Sequence, residues 1–222
     1  MKYLVNEKGH ATIYFLWLLG IVAVIFVLTI NIVKVYIVKE HANLAVEQAA
    51  LAGTAVLLDR TKKAVEEFDT SPTTDLLYID DRNYQRFLDD GKGVGELIEE
   101  KQNDYISSGM DEANAYIKAA NQILPIRIDR HPYLKKELRY TLGYSSSDAY
   151  YIFSSAVQDI INQNKAKTDE TEVKFTGLWQ IEVKSAVKFE SISDHKFIPL
   201  YTDKIYQKGY GPALTYLGYV YS

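Results

Sequence analysis

"HANLAVEQAALAG", residues 41–53, begins eight residues after the end of an uncharged apolar run. Ala42, Ala45, Ala49 and Ala52 recur three and four residues apart, with Leu44 and Leu51 seven apart between them. That is a helical period. Counted in heptads from Val35, the line Val35, Val38, Ala42, Ala45, Ala49, Ala52, Val56 fills the a and d positions. A second line, Ile37, Leu44, Leu51, Leu58 and Val65, recurs every seventh residue on another side. Glu40, His41, Glu47, Gln48 and Lys62 lie between the lines, so the helix is neither lipid-embedded nor solvated throughout. Helix propensity accounts for one alanine but not for a register of them. Small side chains let backbones approach closely, so the alanine line, with Gly53 at its end, predicts a packing seam. Its partner is a helix of another subunit or the chain's own globular part, and the leucine line can meet a second neighbour.

Upstream, "ATIYFLWLLGIVAVIFVLTINIV" (11–33) holds 23 residues without a formal charge. At about 1.5 Å per residue this crosses a hydrocarbon core of roughly 30 Å. A cleavable signal is disfavoured because the run exceeds the usual core of about 7–15 residues and no small-x-small site precedes a loop. The run continues instead into "KVYIVKEHANLAVEQ", without proline or glycine. The expectation is a retained single span bound by membrane lipid. Lys2 and Lys8 on one side nearly balance Lys34 and Lys39 on the other. The orientation adopted places the short N-terminal tail inside and the larger part outside.

"EKGHATIYFLW", the span, "INIVKVY" and "ANLAVEQAALAG" together resemble the N-terminal segment of TadE/TadG-like proteins of Tad/Flp pilus assembly, pilin-like subunits with a membrane-spanning helix. Glu7, Lys8 and Gly9 match the family's charged residue and glycine before the span. Lys34 and Tyr36 match its basic and tyrosine positions, and Ala49, Ala50, Leu51, Ala52 and Gly53 match the alanine-rich stretch. Asn31 stands where the family carries an acid, and Glu47 where it carries aspartate. Tyr14 lies five residues after Gly9, where processed prepilins carry glutamate. The resemblance therefore favours the TadG-like members, which stay uncut, with Met1 to Gly9 retained. It covers roughly residues 7–56 and implies a subunit or assembly factor that works by association with pilin-like or pilus-assembly subunits, or with cell-wall components.

Beyond Phe68 the pattern changes. "DTSPTTD" (69–75) is a turn-forming stretch, which divides the chain into a tail (1–10), a span (11–33), a stalk helix (34–68) and an extracytoplasmic head (69–222). Apolar positions at helical spacing from Leu97 to Ile123 predict a helix ended by Pro125. "SSSD" (145–148) predicts the start of another, ending near Asn164. Alternation from Trp179 to Glu190 predicts a long strand with one buried face. Further strands are expected near 197–201, 204–208 and 214–221, the last buried, with acceptance of a neighbour's strand as the alternative. The fold class expected is α+β, with two or three head helices and an antiparallel sheet.

Composition excludes several functions. The net charge of −4 gives no general attraction to nucleic acid, and the absence of cysteine removes disulfides and thiolate metal sites. Of the 18 tyrosines, 15 follow position 69 and suit packing and surface contact. His10, His41, His131 and His195 lack ligand spacing and read as surface residues. Asp80, Asp81, Asp89 and Asp90 lack calcium-loop order and read as a solvated acidic loop. "GKGVG" (91–95) lacks the Lys-Ser/Thr ending of a phosphate loop and reads as a flexible turn. Ser185 and Lys188 fit Ser-x-x-Lys only in spelling, since a strand points them to opposite faces. No enzyme, cofactor or metal is expected. The function expected is a membrane-anchored pilin-like subunit or assembly factor, with a single-span scaffold of another envelope complex, or a tethered enzyme or sensor, as alternatives.

Overall fold

The computed structural model describes residues 7–164, 166, 170–192 and 202–222, with residues 7–10 and 202 described for backbone alone. Helix α1 runs Glu7–Thr70, 64 residues without a break. The first proline is Pro72, so each amide of α1 is free to join the helical ladder. Then follow α2 (Leu76–Leu88), α3 (Val94–Ser107), α4 (Glu112–Arg130), α5 (Pro132–Leu142) and α6 (Ser146–Gln163). Strands β1 (Glu172–Phe175), β2 (Ile181–Glu190) and β3 (Thr202–Tyr210) precede the short α7 (Leu217–Tyr221). The α+β class is as expected, but the head carries more helices than the two or three anticipated.

The segment read as a stalk does not stand apart from the head. From Ala42 onward the inner face of α1 is the head's core: Ala42, Ala45, Val46, Ala49, Ala50, Leu57, Ala64, Val65 and Phe68 are buried. This stripe packs against α5, α6, β2 and β3. Burying a leucine such as Leu57 in this way contributes about 1.5–3 kcal/mol. The residues have to be small where the sheet lies on the helix. A Cβ on Gly209 in β3 would collide with the backbone of Val46 and Glu47, and one on Gly211 would lie 3.0 Å from the Ala50 carbonyl oxygen. On the helix side, a Cβ at Gly53 would come within 2.9 Å of Val157 and 3.0 Å of Ile181. The alanine register is thus set by a strand and a helix of the same chain.

The sheet is an antiparallel meander in the order β1-β2-β3. Val183 pairs with Val173 on one side and Gly209 on the other, and Glu190 pairs with Thr202. Ile181 and Val183 enter the core. On the other face Glu182 lies between Lys174 and Lys208, at 3.6 and 2.9 Å. Ser185 is buried and Lys188 exposed, as the strand period predicts. Trp179 stands before the strand, in the β1–β2 turn, at a φ of 58°. Its ring is held between Phe175 and Tyr221.

Three further expectations change. Helix 97–123 divides at Gly109, whose φ of +94° suits glycine. Pro125 lies inside α4. It forfeits the hydrogen bond to Asn121, yet Leu124 and Ile128 on either side are buried, and that packing holds the helix through it. The terminal strand expected over 214–221 is α7 preceded by turns, with Leu217, Gly218 and Tyr219 amides bonded to Leu214, Thr215 and Tyr216 carbonyls. Leu214, Leu217 and Val220 are three apart and all buried, a helical rather than an alternating period. The start of α6 is as expected, with the Ser145 hydroxyl accepting from the Asp148 amide at 3.2 Å. The strand expected near 204–208 is β3, and the candidate at 197–201 lies outside the described residues.

Candidate functional site: the uncovered length of the first helix

Between Ile13 and Phe26 the large apolar side chains of α1 are all exposed, Trp17 at 71% and Phe26 at 63% among them. The helix here is long and apolar enough to cross a membrane, and none of that apolar stretch is buried by the rest of the chain. Leaving so much apolar surface in water is unfavourable at about 25 cal/mol per Å², and contiguous patches of this extent mark contact with lipid or protein. The hydroxyl of Thr29 is satisfied inside the helix, donating to the Ile25 carbonyl at 2.8 Å. Asn31 accepts a hydrogen bond from the Ile192 amide through its side-chain oxygen, at 2.7 Å. A half-buried stripe of Val27, Ile30, Asn31, Lys34 and Val38 continues the buried line toward the N-terminus.

The predicted packing residues separate into two sets. Ala42, Ala45, Ala49 and Gly53 are buried inside the head, and Ala52, Val56 and Leu58 are half-buried against it. Packing of the alanine line on other subunits, the first of the two readings of the sequence, is corrected accordingly. The leucine line divides along its length: Ile37 (53% exposed), Leu44 (43%) and Leu51 (51%) are about half exposed, whereas Val65 is core. Of the motif positions, Tyr36 and Glu47 are exposed, Glu47 accepting from the Asn43 side chain at 3.1 Å. Gly9 lies in the first turns of α1.

Several titratable residues of the head join helices. His131, expected at the surface, is buried, with Nδ1 2.9 Å from Asp81. The other oxygen of Asp81 accepts from the Tyr133 amide at 3.0 Å, capping α5, whose own N-cap offers no side-chain bond. Asp89 is equally far from a solvated loop. It pairs with Arg127 of α4 and accepts from Gln85 at 2.8 Å. Burial pushes the Asp89 carboxyl up, but the Arg127 and Gln85 bonds outweigh it and hold the group below its ordinary value. "GKGVG" leads into α3, and its anion is internal: Asp69 accepts from the Val94 and Gly95 amides at 3.0 and 2.7 Å. Burial raises the Asp69 carboxyl above its ordinary value despite these two amides. A cleft of about 440 Å³ beside it is lined by Lys62, Arg86 and Tyr116 among others. Among the described residues no three His, Cys, Asp or Glu side chains gather as a metal site.

Sequence reasoning missed α2, whose Leu76, Leu77, Tyr84 and Phe87 form an exposed apolar face at the far end of α1. Their spacing of seven and of three is the available signal. No protein-family model matches the chain, and no significant match was found among curated proteins or solved structures.

Proposed function

We propose that the protein is a membrane-anchored, pilin-like subunit or assembly factor of a Tad/Flp-type pilus or related machinery, acting by association and not by catalysis. The observation that carries this reading is a single helix that is bare and apolar over its first turns and the core of its own head over the rest. The bare length spans the bilayer with the head outside. From Ile13 to Phe26 it can exchange lipid for neighbouring helices without breaking a contact of the head, because the head covers none of those side chains. The Asp81–His131 hydrogen bond and the Asp89–Arg127 ion pair serve to fasten α2 to α4 and α5, which fits a scaffold. The leucine line Ile37, Leu44, Leu51 and the apolar face of α2 are the surfaces that partner subunits cover.

An immunoblot of mechanically sheared surface material against membranes, with an integral membrane protein as leakage control, tests this. Recovery in the sheared fraction identifies a filament subunit, and enrichment in membranes together with pilus-assembly components identifies an assembly factor. A fixed membrane complex lacking such components, or a soluble cytosolic protein, overturns the reading. Intact mass then decides whether Met1 to Gly9 stay attached, as the Tyr14 position implies.

A further inference from the structure

We infer that the head, where β2 ends at Glu190 to Ile192, is seated in the lipid interface itself, with Ile192 at the level of the outer headgroups and no free stalk between bilayer and head. This rests on the reading of residues 11–33 as a membrane span. From Ala11 to Asn31 the helix rises about 30 Å, the thickness of a hydrocarbon core. Asn31 thus marks the outer face of the core when Ala11 marks the inner one. Yet the head is already present at that level, because the Ile192 amide donates to the Asn31 side chain at 2.7 Å.

Sliding the helix does not relieve this. Moved toward the cytoplasm, the helix leaves Ile13 and its neighbours in water. Moved outward, it carries Lys8 into lipid and lifts the head clear only after apolar residues on the other side of the bilayer are replaced by charge. The groups around the contact are those of an interface. Ile192 is apolar and 42% exposed, and Tyr36 on the helix is 68% exposed. Lys34 follows the uncharged run directly, and Lys188 pairs with Glu190 two residues before Ile192. Apolar residues below, aromatic and cationic residues at the level of the headgroups, is the order that a bilayer surface selects. The occupant of this surface is lipid because it is continuous with the span: whatever touches Ile192 has to coexist with the bilayer beside Asn31.

The chain has no cysteine, so single cysteines carry a fluorophore to one place each. The full chain is reconstituted into phosphatidylethanolamine–phosphatidylglycerol vesicles with a lipid labelled by a quencher near the headgroup or in the acyl chain. Ile192→Cys is compared with Leu16→Cys in the span and Leu76→Cys at the start of α2; all three replace exposed side chains. The expected result is quenching of the Leu16 and Ile192 probes, the latter by headgroup-proximal quencher and at least about twofold over the Leu76 probe. Quenching at 16 with position 192 no different from 76 overturns the seated head and leaves the span standing. Absence of quenching at 16 overturns the span, and the seated head with it.

Discussion

The two halves of α1 are built from the same residue types and meet opposite fates. Toward the N-terminus, Gly20 has nothing within 4 Å of where a Cβ would stand, and the leucines around it are exposed. Toward the C-terminus, Gly53 is crowded by Val157, Ile181 and Phe153, and Ala49 and Ala50, one turn before it, are buried. Glycine and alanine therefore carry no fixed meaning along this helix. In the head they mark where other backbones come close, and in the bare length they mark nothing that the chain itself supplies. The helix is one secondary structure with two surroundings, bare over its apolar length and packed over the rest.

That contrast is most severely tested at the strand–helix contact. Gly209→Val drives a branched side chain into the Val46 and Glu47 backbone, which β3 relieves only by lifting off. A loss of about 3 kcal/mol or more is expected in urea unfolding of the detergent-solubilised protein, whereas Gly20→Ala changes head stability by less than about 0.5 kcal/mol. The leucines sharpen the same comparison. Leu57→Ala empties a fully buried site and costs about 2–5 kcal/mol, while Leu51→Ala, half exposed, stays within about 0.5 kcal/mol and shows its effect only in association.

Arg127→Met removes the partner of Asp89, whose side chains are 18% and 11% exposed, and costs about 2–3 kcal/mol at neutral pH. The folded Asp89 carboxyl titrates below its unfolded value. Its stabilisation is accordingly full above the unfolded value, near ~3.9, and is lost as pH falls through the lower folded value. The gap between wild type and Arg127→Met in urea midpoint should be constant from neutral pH down to about pH 5 and close only in stronger acid. A loss smaller than those at Gly209, Leu57 and Arg127 is expected for Tyr216→Phe. It deletes a buried 2.8 Å bond to Thr61, but Thr61 keeps its own bond to the Leu57 carbonyl at 2.8 Å, so about 1 kcal/mol is expected.

The parts of the fold legible in the sequence are those with a local cause. The alternation of β2 and the Ser145 cap of α6 each depend on residues within a few positions of one another. What was not legible depends on partners far away in sequence. The helices α3 and α5 lack N-cap side chains of their own and receive Asp69 and Asp81 from other helices. The end of α1 has no basic residue in its last turn; Arg86 and Arg82 of α2 bond the Asp69 and Ser71 carbonyls at 3.0 and 2.8 Å. Asp81 and Asp89 are for the same reason structural, whereas Asp80 and Asp90 are exposed as expected. The packing residues of α1 were legible as a seam, because period and size are local. The identity of the neighbour was not, since Gly209 lies more than 150 residues from the Val46–Glu47 backbone it faces.

The unbroken course of α1 also has a mechanical meaning. A head hung from its anchor by a flexible linker swivels, and tension on it is taken up by the linker. Here the helix that carries the bare apolar length is itself the post around which the head is folded, and it runs from Glu7 to Thr70 without interruption. A load applied at the α2 end enters that post directly and travels along its axis into the apolar length. No break in α1 between Glu7 and Thr70 offers a hinge to open first.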